Sequence, residues 1–137
     1  GTVGATGATG ATGTVMGSIR WATVAAPGNA STNFMATESD TPDTNEYKSN
    51  QLIANNFTFT SIRLVSLNTL GSSNTYTVTM RVNGVDSALT LTIAAAGKSG
   101  SLTGQSVGVN AGDLVSMKLV QSGTGVASQW SLDVQVF

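Results

Sequence analysis

Residues 75–93 read TYTVTMRVNGVDSALTLTI, and this stretch decides the fold class. Tyr76, Val78, Met80 and Val82 alternate with Thr75, Thr77, Thr79 and Arg81. After a break, Leu89, Leu91 and Ile93 alternate with Thr90 and Thr92. A period of two places one apolar face and one polar face on an extended chain, which is the pattern of a half-buried strand. Between the two runs stands Asn83-Gly84, whose residues accept the positive φ of a type I′ hairpin turn. A wider loop reaching Asp86 is the other way to close the same hairpin.

Working outward, the same alternation returns. Trp130, Leu132, Val134 and Val136 alternate with Ser131, Asp133 and Gln135 near the C-terminus. Ser18 to Val24 reads as a strand, and so does Phe57 to Leu67. In the latter the apolar phase changes from Phe57 and Phe59 to Ile62 and Leu64, which places a bulge near Ser61. Gly108 to Val120 adds a turn at Ala111-Gly112-Asp113 and a strand from Leu114. Turn signals fall at Asn68 to Asn74, Gly97 to Gly100 and Gly123 to Gly125, and no segment has a helical period. About eight strands at this spacing predict an all-β, two-sheet antiparallel sandwich, most naturally a jelly roll. The polar segment Thr37 to Asn50 carries Pro42 and reads as a long surface loop.

The N-terminus is built differently. Glycine falls at every third position from Gly1 through Gly13, in the triplets Gly-Thr-Val, three of Gly-Ala-Thr, and Gly-Thr-Val again. Only glycine fits at the axis where three polyproline II chains wind together, so the period predicts a collagen-like triple helix and a chain that acts in threes. A flexible tether of the same composition is the competing explanation. The register fails at Met16, which divides the chain into a stalk end at 1–16 and a β head at 17–137. The stalk lacks proline and would span only about 45 Å, so it needs a trimeric head to clamp it or a longer repeat to continue it. The chain opens on Gly1 without an initiator Met and reads as the downstream part of a longer protein.

Composition excludes several roles. Charged residues are 9% of the chain and the net charge is −1, which supplies no basic face for nucleic acid and no polybasic membrane patch. No apolar run reaches membrane-spanning length, so membrane insertion is not expected. With neither histidine nor cysteine, the chain lacks the usual general base and the usual thiol nucleophile, and no enzyme activity and no cofactor are expected. A metal site would have to be all oxygen and calcium-like. Glu38, Asp40, Asp43 and Glu46 are the one acidic cluster, although their spacing matches no known calcium loop and Lys48 stands beside them. A solvated loop explains the same residues.

Carbohydrate binding has a better set of residue types. Sugar sites combine an exposed aromatic face with amides or carboxylates, and Tyr47 has Asn45, Glu46, Asn50 and Gln51 close to it in sequence. The alternative is a plain polar loop whose tyrosine packs back on the sheet. Thr6, Thr9 and Thr12 occupy the outward third position of their triplets and could carry O-glycans. Asn29-Ala30-Ser31 and Asn56-Phe57-Thr58 match the N-glycosylation pattern.

Gly-Ala-Thr triplets followed by a β-rich head of this length resemble the bacterial collagen-like surface proteins of the BclA-like exosporium type. Their heads are trimeric jelly rolls akin to tumour necrosis factor (TNF-like). The run Tyr76 to Val85, YTVTMRVNGV, is similar to the strand and turn of such heads. Val107 to Val120, VGVNAGDLVSMKLV, is similar to a late hairpin found in collagen-stalked bacterial and phage fibre proteins. The resemblance implies a homotrimer on a threefold axis, with both head termini at the base and the first and last strands as neighbours. Trp21, Trp130 and Phe137 are then candidates for the trimer interface, although Trp130 shares a face with Leu132 and Val134 and fits a core position as well. The implied role is the structural and adhesive tip of an extracellular fibre on a bacterial cell or spore. The head would align the triple helix and present distal loops to a host glycan or matrix, with an upstream fibre or surface anchor. A phage tail-fibre tip on the virion and a purely structural surface nap protein are the alternatives.

Overall fold

The computed structural model describes residues 1, 17–23, 32–35, 44–67, 69–70, 73–123 and 130–136. Among the described residues ten strands are formed: β1 (Gly17–Thr23), β2 (Thr32–Phe34), β3 (Gln51–Leu52), β4 (Phe57–Ser66) and β5 (Thr75–Val82) in the first half. The second half supplies β6 (Val85–Ile93), β7 (Ser99–Leu102), β8 (Val107–Val109), β9 (Leu114–Ser122) and β10 (Trp130–Val136). One 3-10 turn, Glu46–Ser49, interrupts them. Among the described residues there is no α-helix, and no helix long and apolar enough to cross a membrane.

The hairpin at the centre of the sequence forms as its turn residues require. Val82 pairs with Val85, and Asn83 and Gly84 turn with φ of 51° and 78°. Those values are the left-handed region of a type I′ turn, so the wider loop is not used. Tyr76, Val78 and Met80 point inward with Leu89, Leu91 and Ile93. On the outer face the threonines pair across the strands: the Thr77 and Thr92 hydroxyls lie 2.8 Å apart, and Thr90 donates to Thr79 at 3.2 Å. The register slips once. Thr79 faces Thr90 but Arg81 faces Asp86, so Ser87, Ala88 and Leu89 on β6 stand against Met80 alone on β5.

The strands make two five-stranded antiparallel sheets. One has the order β1-β10-β4-β7, with β8 also on β4; the other has the order β2-β9-β5-β6, with β3 also on β9. Their facing sides share one core, in which Trp21, Phe59, Ile62, Leu64, Leu132 and Val134 meet Tyr76, Met80, Leu89, Val115, Met117 and Leu119. The bulge expected near Ser61 is present: Gln135 faces Ser61 but Val136 faces Phe59, which skips Thr60. That one unpaired residue restores Phe59 and Ile62 to the same inward side.

Two expectations are corrected. The stretch Val107 to Val120 is no hairpin, because β8 joins β4 in one sheet while β9 joins β5 in the other. Gly112, at φ 95°, turns the chain from sheet to sheet. The Gly97 to Gly100 turn is also shorter than read, since Ser99 and Gly100 already belong to β7.

The register fixes which loops share an end. Gly17 pairs with Val136, Val136 with Phe59, and Phe57 with Val109. The turn after Val109 leads to Leu114, whose carbonyl accepts the Asn83 N–H at 2.8 Å. The start of β1, the turn 110–113 and the 83–84 hairpin turn therefore lie at one end of the sandwich. As expected, β1 and β10 are neighbours, paired along all seven residues of β1.

Candidate functional site

Of the loop expected over Thr37 to Asn50, residues 37–43 lie outside the described residues, and the remainder is anchored in the core. Ser49 is the anchor, with 1% of its surface exposed. Its hydroxyl donates to the Met35 carbonyl at 2.5 Å and accepts the Met117 N–H at 3.1 Å. The Trp21 indole N–H donates to the Ser49 carbonyl at 3.2 Å. Three inward-facing segments are thus tied to one serine.

This anchor positions the 3-10 turn above it. Asn45 caps the turn, its side-chain oxygen accepting the Tyr47 N–H at 3.1 Å. Asn50 closes it by donating its N–H to the Tyr47 carbonyl at 3.4 Å. Tyr47 does not pack back on the sheet; it is 79% exposed. Its ring borders an open cleft of about 320 Å³, lined also by Glu46, Asn50, Asn83, Gly84 and Leu114.

The floor of the cleft is held by polar contacts from distant parts of the chain. Asn83 donates through its side chain to Asp113 at 2.8 Å and accepts the Leu114 N–H at 2.9 Å. Asp113 also accepts the Asn110 N–H at 2.8 Å. These two donors hold the Asp113 carboxyl below the ordinary carboxylate range, the Asn110 N–H being the larger cause. Asn56 accepts the Ala111 N–H at 2.8 Å and closes the same turn from the other side.

Behind Tyr47 runs a line of charges. Arg81 donates to Glu46 at 2.5 Å, and Glu46 accepts the Ser116 hydroxyl at 2.6 Å. Arg81 Nε lies 2.7 Å from Asp86, an ion pair by distance but without the alignment of a hydrogen bond. Lys118 also pairs with Asp86 and, through that hydrogen bond first, lowers the Asp86 pKa. The Arg81 guanidinium sits 5.9 Å from the Phe34 ring centroid.

Of the residues expected to bind sugar, Tyr47, Asn45 and Asn50 come together at this turn. Gln51 instead pairs with Val115 in β3 and does not line the cleft. Of the metal candidates, Glu38, Asp40 and Asp43 lie outside the described residues, and Glu46 is taken up by Arg81 and Ser116. Among the described residues no three acidic side chains gather into a metal site. Thr6, Thr9, Thr12, Asn29 and Phe137 also lie outside the described residues, as does the Trp130 side chain.

Trp21 requires a correction. It is 0% exposed in a single chain and bonded to Ser49, so it has no surface to offer a neighbouring chain. Asn83, Gly84 and Leu114 line the cleft but were not legible as site residues. Asn83-Gly84 signalled only a turn, and no local pattern connects residue 83 to residue 47. No protein-family model matches the chain, and no curated protein matches it.

Proposed function

We propose that the chain is the head and stalk end of a trimeric, collagen-like surface fibre, with the head a jelly roll that aligns three chains. One observation carries the reading: β1 lies along β10, so the chain leaves the glycine period and enters the head at one end of the sandwich. Three heads entered from one end can share a stalk axis. A short, proline-free triple helix needs that alignment, because three chains must be in register before it can propagate.

The strand order supports the jelly-roll part. Counting the short strands β2 and β3 as one position, and β7 and β8 as another, leaves eight positions in two sheets. The chain passes from one sheet to the other at β1 to β2, β3 to β4, β4 to β5, β6 to β7, β8 to β9 and β9 to β10. Eight strands in two sheets with such crossings are the pattern of a jelly roll. The work of such a protein is mechanical and adhesive, outside a bacterial cell or spore, with no turnover of substrate.

The test is the mass in solution of the full chain and of residues 17–137, by light scattering after gel filtration. The expected result is a trimer for both. A monomer for both would reduce the glycine period to a linker and overturn the reading.

A further inference from the structure

Tyr47 is the most exposed of the large apolar side chains described, at 79%. It is also firmly held. Its N–H is bonded to Asn45, its carbonyl to Asn50, and two residues on Ser49 is locked into the core. With the backbone beneath it fixed and the ring bare, the tyrosine contributes nothing to the core, and a ligand on it would have to order only one side chain.

The surroundings select the ligand. Among the described residues no lysine or arginine lines the cleft, and the carboxylate that does line it, on Glu46, is already neutralised by Arg81. Among these residues an anion would find no free positive charge, and a cation would compete with a guanidinium. Neutral polar groups remain. A carboxylate offers about four acceptor positions, and Arg81 and Ser116 use two of those on Glu46. Asn50 adds an amide at the rim. Leu114, 39% exposed, adds an apolar ledge, and the space above Gly84 is open, with nothing within 4 Å of where a Cβ would stand.

We infer that this cleft binds a neutral sugar, one ring lying with its C–H face on Tyr47 and its hydroxyls donating to Glu46 and bonding the Asn50 amide. The cleft, at about 320 Å³, matches the lower end of small-molecule sites and suits a single ring with its substituents. The inference rests on the fibre-head reading and names the class of ligand that the head would hold. It also moves the contact surface. The cleft sits on the flank near the end where β1 begins, because Asn83 and Leu114 belong to that end. Among the described residues the binding chemistry collects at this end, whereas the family resemblance places the contact at the distal tip.

The experiment is a titration of the full chain with glucose, galactose, mannose and N-acetylglucosamine, one at a time into the millimolar range, followed by amide NMR. At least one sugar should give saturable shifts at Asn50, Asn83 and Gly84. Tyr47→Ala should weaken that sugar by about tenfold or more, the scale of one lost ring contact. Tyr47→Phe should bind nearly as the parent does, and neither variant should change the melting temperature, since the ring lies outside the core. No shift at those amides with any of the four sugars, or unweakened binding by Tyr47→Ala, would overturn the site. Light scattering on the same samples separates the two readings. A trimer that ignores all four sugars removes the site alone, and a monomer that binds one removes the fibre alone.

Discussion

Ser49 shows how much one side chain can decide. As a small polar residue in a polar stretch, nothing local marks it as buried, and its sequence context reads as solvated loop. The structure makes it a joint between Met35, Met117 and Trp21. Ser49→Ala would leave the Met117 N–H and the Met35 carbonyl short of a partner in a site closed to water. An unsatisfied buried group costs about 1–3 kcal/mol, so the urea midpoint should fall by a corresponding amount. Because the same residue seats the 3-10 turn, the variant should also disturb the Tyr47 ring, visible in its NMR shifts. An unchanged midpoint would show that the joint is incidental. The Asn83 side chain works similarly across 30 residues of sequence, fastening Asp113 and Leu114 at once.

At the scale of elements, glycine carries three different meanings that look alike in sequence. Gly84 serves a turn, with φ 78° and open space around it. Gly100 lies inside β7, where a Cβ would stand 3.3 Å from both Leu91 and Ile93, so glycine there allows the two sheets to approach. In sequence the same glycine looks like a turn signal, yet β7 already begins at Ser99. Gly123 combines both demands: φ is 86°, and a Cβ would meet the Ser73 carbonyl oxygen at 2.2 Å. Gly84→Ala should therefore cost only the left-handed strain, about 1–2 kcal/mol. Gly123→Ala should cost that and the displacement of backbone, a further ~1–3 kcal/mol. Thermal melts of the two variants side by side check the order, and equal losses would show that the Ser73 contact yields freely. The short strands β2 and β3 escaped the sequence reading for a simpler reason: two or three residues cannot display a period.

For the whole molecule, the proposed assembly separates two sources of stability. The described residues of the head form a core of their own. The stalk would have only the packing of three glycine-centred chains. Gly7→Ala should then lower a stalk transition while leaving the head transition in place, as read by calorimetry on the full chain. A joint shift of both would place the source of stability in the stalk instead. The amino-acid sequence by itself determined the features that depend on near neighbours: the alternating strands, the Asn83-Gly84 turn, the bulge after Phe59 and the glycine period that stops before Met16. It could not assign each strand to a sheet, bury Ser49 or gather Glu46, Tyr47, Asn83 and Leu114 around one cleft. Those outcomes belong to the tertiary structure, because strand pairing and burial depend on residues tens of positions apart, whereas periodicity and turn chemistry are written within a few.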